Sequence, residues 1–267
     1  MKRIKTNGVE TVFDDEGSGP PVVLLHGFPF NRTMWGEQFE GLKGRHRMIA
    51  PDLRGLGETI AAAAIATMEQ MAHDVAALLD TLELDRAVVC GLSMGGYVAL
   101  EFCHFFPERV TALVLAGTRA PADNAEEKQN RERQATRLLA EGMKGIADET
   151  LPKLLARETL ASKAEVVSRV RQMIESTDPR RAAAAQHGMA ARRDYSESLT
   201  RIKVPTLVIV GREDSIRPLS DAQFMHSKIR NSRLEVIENA AHVSNMERPE
   251  VFNNALSLLL KEISQNH

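Results

Sequence analysis

Ser93, Asp214 and His242 are the residues whose types, order and surroundings could carry out acyl transfer. Ser93 stands in Gly91-Leu92-Ser93-Met94-Gly95-Gly96, directly after the apolar run Ala87-Val88-Val89-Cys90 and directly before the apolar, small-residue stretch Tyr97 to Phe106. A chain that reverses sharply from a buried strand into a helix crowds the residues two before and two after the serine, and glycine tolerates that crowding most cheaply. Such a turn holds a hydroxyl out at the carboxyl end of a sheet, above the N–H groups and positive dipole of a helix. Ser93 is therefore a candidate nucleophile. A plain glycine-rich turn is the bland alternative, and the flanking strand and helix weigh against it.

A serine nucleophile needs a base, and the base needs a group to orient it. Val204 to Val210 reads as a buried parallel strand ending in Gly211-Arg212-Glu213-Asp214, with Pro218 opening a helix. Asp214 then lies in the loop at that strand's carboxyl end. Leu234 to Glu238 reads as the next strand and runs into Asn239-Ala240-Ala241-His242, before Pro249 starts an amphipathic helix with Val251, Phe252, Leu256, Leu259, Leu260 and Ile263 on its apolar face. His242 lies in the equivalent loop. The four-residue spacing from Gly211 favours Asp214 over Glu213, which remains the reserve acid. Of eight histidines, His242 alone follows a late strand and precedes the final helix.

The chain order Ser, Asp, His is joined by Val22-Val23-Leu24-Leu25-His26-Gly27-Phe28-Pro29 and Pro51-Asp52-Leu53-Arg54-Gly55-Leu56-Gly57. On these stretches the chain resembles the α/β-hydrolase fold superfamily, and within it the small serine esterase and 3-oxoadipate enol-lactonase-like group. The resemblance implies an α/β fold with a mostly parallel, twisted sheet flanked by helices and an inserted all-helical cap. It implies that Ser93 attacks a carbonyl, that His242 moves the proton and that Asp214 fixes the imidazole. It also implies an oxyanion hole from the backbone N–H groups of Phe28 and Met94, whose side chains would line the acyl pocket. By the same likeness His26 shapes the oxyanion turn through hydrogen bonds. A serine at this position argues against the epoxide-hydrolase and dehalogenase branches, which carry Asp there. Departures fall on substrate: Glu58-Thr59 replaces a usual serine after the glycines, Leu92 replaces a frequent histidine, and the cap lacks the tryptophan that enol-lactonase-like members often carry.

Strands are expected near 22–26, 46–51, 86–91, 111–116, 204–210 and 234–238, after an N-terminal hairpin near 4–7 and 9–14. Helices are expected near 35–43, 67–82, 94–106, 218–229 and 249–264, the second opening on the capping box Thr67-Met68-Glu69-Gln70. This alternation is that of a doubly wound sheet. Strand signals stop between 119 and 200, where only helical patterns recur, so residues 1–118 and 201–267 are assigned to the core and 119–200 to the cap. Within 119–200 the one aromatic is Tyr195, while Met143, Met173 and Met189 supply flexible apolar volume. An aliphatic pocket follows if these methionines point inward; packing between cap helices is the bland alternative. His26, Phe30, Trp35, Tyr97 and His187 complete the pocket candidates.

The 267 residues suffice for one large core, and 43% hydrophobic with 26% charged residues is ordinary for a globular protein. A formal charge of −2 with mixed signs gives no footprint for nucleic acid. Arg180-Arg181 and Arg192-Arg193 are local exceptions, read as solvated helix charge in preference to a funnel for an anionic substrate. Cys90 and Cys103 read as reduced core residues. No run approaches the ~18 apolar residues of a membrane span, and the basic start lacks the apolar region of a secretory signal, so a cytoplasmic location is expected. His46, His104, His226 and His267 have no partner at metal-ligand spacing; no metal and no cofactor is expected. The expected activity is hydrolysis of an ester, lactone or thioester of a small, mainly aliphatic acid, the acyl substrate being the one expected partner. Hydrolysis of a carbon–carbon bond in a β-diketone on the same triad, or a ligand receptor reusing the fold, stays open.

Overall fold

Residues of alternating parity along each inner strand face opposite sides of one sheet, and both sides are apolar. Val22 and Leu24 join one buried cluster and Val23 and Leu25 the other; the same division separates Leu207 and Ile209 from Val208 and Val210. Such strands need a helical layer on each face, which the chain supplies by alternating the two element types.

The structure is a computed structural model and describes residues 1–61 and 65–265. His267 lies outside the described residues. In chain order the elements are β1 Lys2–Thr6, β2 Val9–Glu16, β3 Pro21–Leu25, α1 Gly36–Leu42, β4 Arg47–Pro51, α2 Met68–Thr81, β5 Ala87–Leu92, α3 Met94–Phe105 and β6 Val110–Ala116. Five helices follow: α4 Ala125–Glu141, α5 Lys144–Leu154, α6 Arg157–Ser162, α7 Ala164–Glu175 and α8 Pro179–Ala190. The chain then closes with β7 Thr206–Gly211, α9 Leu219–Lys228, β8 Ser232–Ile237, α10 Ser244–Glu247 and α11 Pro249–Gln265.

The eight strands form one sheet in the order β1-β2-β4-β3-β5-β6-β7-β8. β1 pairs antiparallel with β2, and β2 antiparallel with β4; all other pairings are parallel. The first apolar cluster carries Trp35 and Phe39 beside Phe252, Leu256 and Leu260 of α11, and the second carries Met71, Val75 and Leu79 of α2 beside Val98 and Phe102 of α3. Each strand and helix expected in the core lies within two residues of its expected bounds. The capping box of α2 forms as expected, Thr67 Oγ1 accepting the Gln70 N–H and Gln70 Oε1 accepting the Thr67 N–H. α10 was not anticipated, because four residues are too few to show a periodicity.

Between β6 and β7 the described chain is helical, α4 and α8 lying side by side. Its ends meet where Tyr195 N–H donates to the Ala120 carbonyl at 3.0 Å.

Candidate active site

β5 ends at Leu92 and α3 begins at Met94, so a single residue makes the reversal. Ser93 makes it at φ 56° and ψ −114°, a region that a residue with a Cβ occupies only under constraint. The constraint is close approach: a Cβ on Gly91 would lie 2.1 Å from the Gly95 carbonyl oxygen, and one on Gly95 would lie 2.0 Å from that of Leu25. The serine backbone is held by its N–H donating to the Ala116 carbonyl at 2.8 Å and its carbonyl accepting Thr118 Oγ1–H at 2.8 Å.

Asp214 follows β7 and His242 follows β8, both buried. His242 Nδ1–H donates to Asp214 Oδ2 at 2.8 Å. Asp214 Oδ1 accepts the N–H groups of Ile216 at 2.9 Å and Arg217 at 2.8 Å, which orients the carboxylate and leaves Oδ2 for the imidazole. Glu213 faces elsewhere, its Oε2 accepting the Arg157 N–H at 3.2 Å. Ser93 and His242 open into one cavity of about 360 Å³. Phe28 and Pro29 wall it from the turn after β3, and α4, α5 and α8 wall it from the other side through Arg131, Leu138, Thr150, Leu154, Gln186 and Met189.

His26 is fully buried beneath that turn. Its Nε2 accepts the Leu53 N–H at 2.9 Å, so the proton sits on Nδ1, which donates to the Gly27 carbonyl at 2.9 Å. Burial pushes its pKa below the ordinary imidazole value, favouring this neutral form. The ring thereby ties the turn after β3 to the loop after β4.

Of the pocket candidates, Tyr97 and Met189 line the cavity and the others do not. Phe30 and Trp35 are fully buried in the sheet's apolar layer, Trp35 lying 6.0 Å from the Phe252 ring. Met143 and Met173 are buried in the apolar cluster that holds Leu138 of α4, Leu151 of α5 and Ile174 of α7. Met94 presents its side chain to the core and not to the acyl pocket. His187 pairs with Glu132 across α4 and α8 at 3.1 Å. Apolar Phe28, Leu138, Ile146, Leu154, Met189 and Ile216 line the cavity together with the charged side chains of Asp123, Glu127, Arg131, Lys153 and Arg217.

The charged wall went unseen because its members are scattered in sequence. Arg192, expected to be solvated, is 6% exposed; it pairs with Asp123 at 2.8 Å and stacks 4.3 Å above the Tyr97 ring. Asp123 also takes Arg119 at 2.7 Å and Arg131. Arg217 differs from these: among the described residues it meets no carboxylate within ion-pair distance, and its Nε (3.0 Å) and Nη2 (2.5 Å) donate to Tyr97 Oη. Burial alone would raise the Tyr97 phenol, but the charges of Arg217, Arg192 and Arg131 outweigh it and lower its pKa. Among the described residues no three His, Cys, Asp or Glu side chains converge as a metal site would need. Cys90 and Cys103 are free thiols, burial pushing Cys103 up to about 11 and Cys90 higher still.

The family model described as alpha/beta hydrolase fold matches residues 20–249. The chain belongs to that family. This α/β hydrolase is 29% identical over 245 residues to 3-oxoadipate enol-lactonase 2 of Acinetobacter baylyi, covering 92% of this chain and 90% of the relative. A thermophilic esterase from Thermogutta terrifontis, solved with malate bound, shares 42% identity at a TM-score of 0.96, covering 98% of this chain and 99% of the esterase. The enol-lactonase from Burkholderia xenovorans LB400 shares 28% identity at a TM-score of 0.91, with 97% and 100% covered. The protein is a hydrolase of the enol-lactonase and esterase group. No helix among the described residues is long and apolar enough to cross a membrane.

Proposed function

We propose that this hydrolase cleaves a small ester, lactone or thioester through a Ser93-His242-Asp214 triad, with residues 119–200 acting as a cap that shapes the substrate cavity. The observation that carries the reading is that Ser93 and the Asp214-bonded His242 face one cavity. Ser93 Oγ attacks the acyl carbonyl while His242 takes its proton; the same proton then goes to the departing alkoxide or thiolate, leaving an acyl-enzyme. Water repeats the attack, giving up a proton through His242, and the free acid departs. The backbone N–H groups of Phe28 and Met94 serve the developing oxyanion, Met94 standing in the first turn of α3 where helical N–H groups lack partners. Asp214 stabilises the imidazolium that forms at each step.

The expected aliphatic acid is amended on its polar side. Arg217, cationic and without a carboxylate partner among the described residues, fits an acyl or leaving group that carries its own carboxylate, and the Thermogutta esterase holds malate, a dicarboxylate. Cytoplasmic location fits the free state of Cys90 and Cys103.

The test is a p-nitrophenyl ester series from acetate to decanoate, run beside lactones and a half-ester of a dicarboxylic acid, with fluorophosphonate labelling. Wild-type protein labels and turns over, and Ser93→Ala loses the label with turnover down roughly a thousandfold or more. Stoichiometric labelling with background turnover, plus ligand-dependent capture of a protein partner, would sink the enzyme reading in favour of a receptor.

A further inference from the structure

α10 begins two residues after His242, and its last residue, Glu247, is fully buried. Among the described residues no lysine, arginine or histidine lies within ion-pair distance of its carboxylate. Each carboxylate oxygen instead accepts one buried backbone N–H, Oε1 from Ala241 at 2.7 Å and Oε2 from Ala156 at 2.7 Å. Ala241 immediately precedes His242. Ala156 lies between α5 and α6, two residues beyond Leu154, which lines the cavity.

The same junction is tied again by backbone. The Leu154 carbonyl accepts the N–H groups of His242 at 3.0 Å and Val243 at 3.3 Å, and Lys163 Nζ–H donates to the Glu247 carbonyl at 2.6 Å. A buried carboxylate is costly, and burial indeed pushes this one above its ordinary range against the pull of the Ala156 N–H, the Thr159 hydroxyl, the Ala241 N–H and the more distant Arg248 charge. No neutral side chain of that shape replaces it. A glutamine offers one acceptor oxygen, and its NH2 would confront the other N–H donor.

We propose that Glu247 is a positioning residue for His242: one carboxylate clamps the histidine loop to the 154–156 wall of the substrate cavity, so that imidazole and wall hold a common register. The inference rests on the triad reading above, since the clamp matters only if His242 moves the proton.

Glu247→Gln tests it against wild type, with kcat, KM, the rate of fluorophosphonate labelling and Tm measured together. Expected is a fall of about ten- to a hundredfold in kcat and in labelling rate, with KM within about threefold, as misplacement of a base by a fraction of an ångström produces. A purely structural residue would lower Tm while each folded molecule kept wild-type kcat and labelling, and that result overturns the clamp. Should Glu247→Gln fail to fold, Lys163→Met releases only the bond to the Glu247 carbonyl; the same kcat-selective fall, smaller in size, is expected, and unchanged kcat overturns the inference. Ser93→Ala run alongside separates the two claims, because undiminished turnover in that variant defeats the triad itself.

Discussion

Arg217 brings its charge to the cavity three residues after Asp214, so one loop supplies both the acid of the proposed triad and a cation of the cavity wall. Its guanidinium is held by the Tyr97 hydroxyl and its own Ile216 carbonyl, neither of which neutralises it. Charge-assisted hydrogen bonds of this kind are worth roughly 1.5–3 kcal/mol, or about ten- to a hundredfold in kcat/KM. Arg217→Met, which keeps most of the apolar stem, should therefore lower kcat/KM for p-nitrophenyl hemisuccinate by at least about tenfold. p-Nitrophenyl butyrate should change by about twofold or less under the same reading. Equal losses on both esters would mean that Arg217 only supports Tyr97 and the Asp214 loop. Tyr97 was a pocket candidate because it lies near the Ser93 turn; Arg217 was not, because nothing local distinguishes it from the chain's other arginines.

At the scale of elements, the β5-to-α3 reversal works only if three backbones nearly touch. The contacts at 2.1 and 2.0 Å that a Cβ would make at Gly91 and Gly95 are with carbonyl oxygens of main chain, which has no rotamer to yield. Gly95→Ala must push α3 away from the end of β3, and a cost of about 3 kcal/mol is expected from the resulting strain. Urea unfolding at neutral pH measures it, and the fluorophosphonate rate of the folded fraction should fall with it. Wild-type stability together with wild-type labelling would show that the turn has slack. The glycine spacing made this element readable from sequence alone. The placement of the Met94 side chain, expected at the acyl pocket, was not readable, since the docking of α3 turns it into the core.

For the whole molecule, Asp123 joins the two ends of the helical stretch between β6 and β7 to each other and to α3. It receives Arg119 from the segment after β6, Arg131 from α4 and Arg192 from beyond α8, and Arg192 stacks on Tyr97 of α3. Burial would raise its carboxyl, but Arg131 and Arg192 prevail and lower the pKa to about 2 from the ordinary 3.8. A carboxylate with a depressed folded-state pKa stabilises above its unfolded value and loses that contribution as pH falls through the folded value. At pH 7 the shift corresponds to about 2 kcal/mol. Asp123→Asn should cost about 3 kcal/mol at pH 7, because it leaves buried guanidinium groups short of countercharge. The gap between variant and wild type in urea unfolding should narrow from pH 5 toward about 2. A gap that does not change with pH would remove the charge from the explanation.

The sequence by itself determined the sheet and its helices, because short continuous apolar runs and amphipathic stripes are local consequences of which faces must be dry. It also determined which loops carry Ser93, Asp214 and His242, since the carboxyl end of each strand follows from chain direction. Only the tertiary structure decided what surrounds them. The cavity wall is assembled from the turn after β3, α4, α5, α8 and the loop after β7, stretches that lie far apart along the chain. Whether a methionine there faces substrate or a neighbouring helix, and whether an arginine is solvated or buried against a tyrosine, depends on docking angles between helices that no local pattern encodes. Met189 reached the cavity and Met143 did not, though both offered the same side chain to the same stretch of sequence.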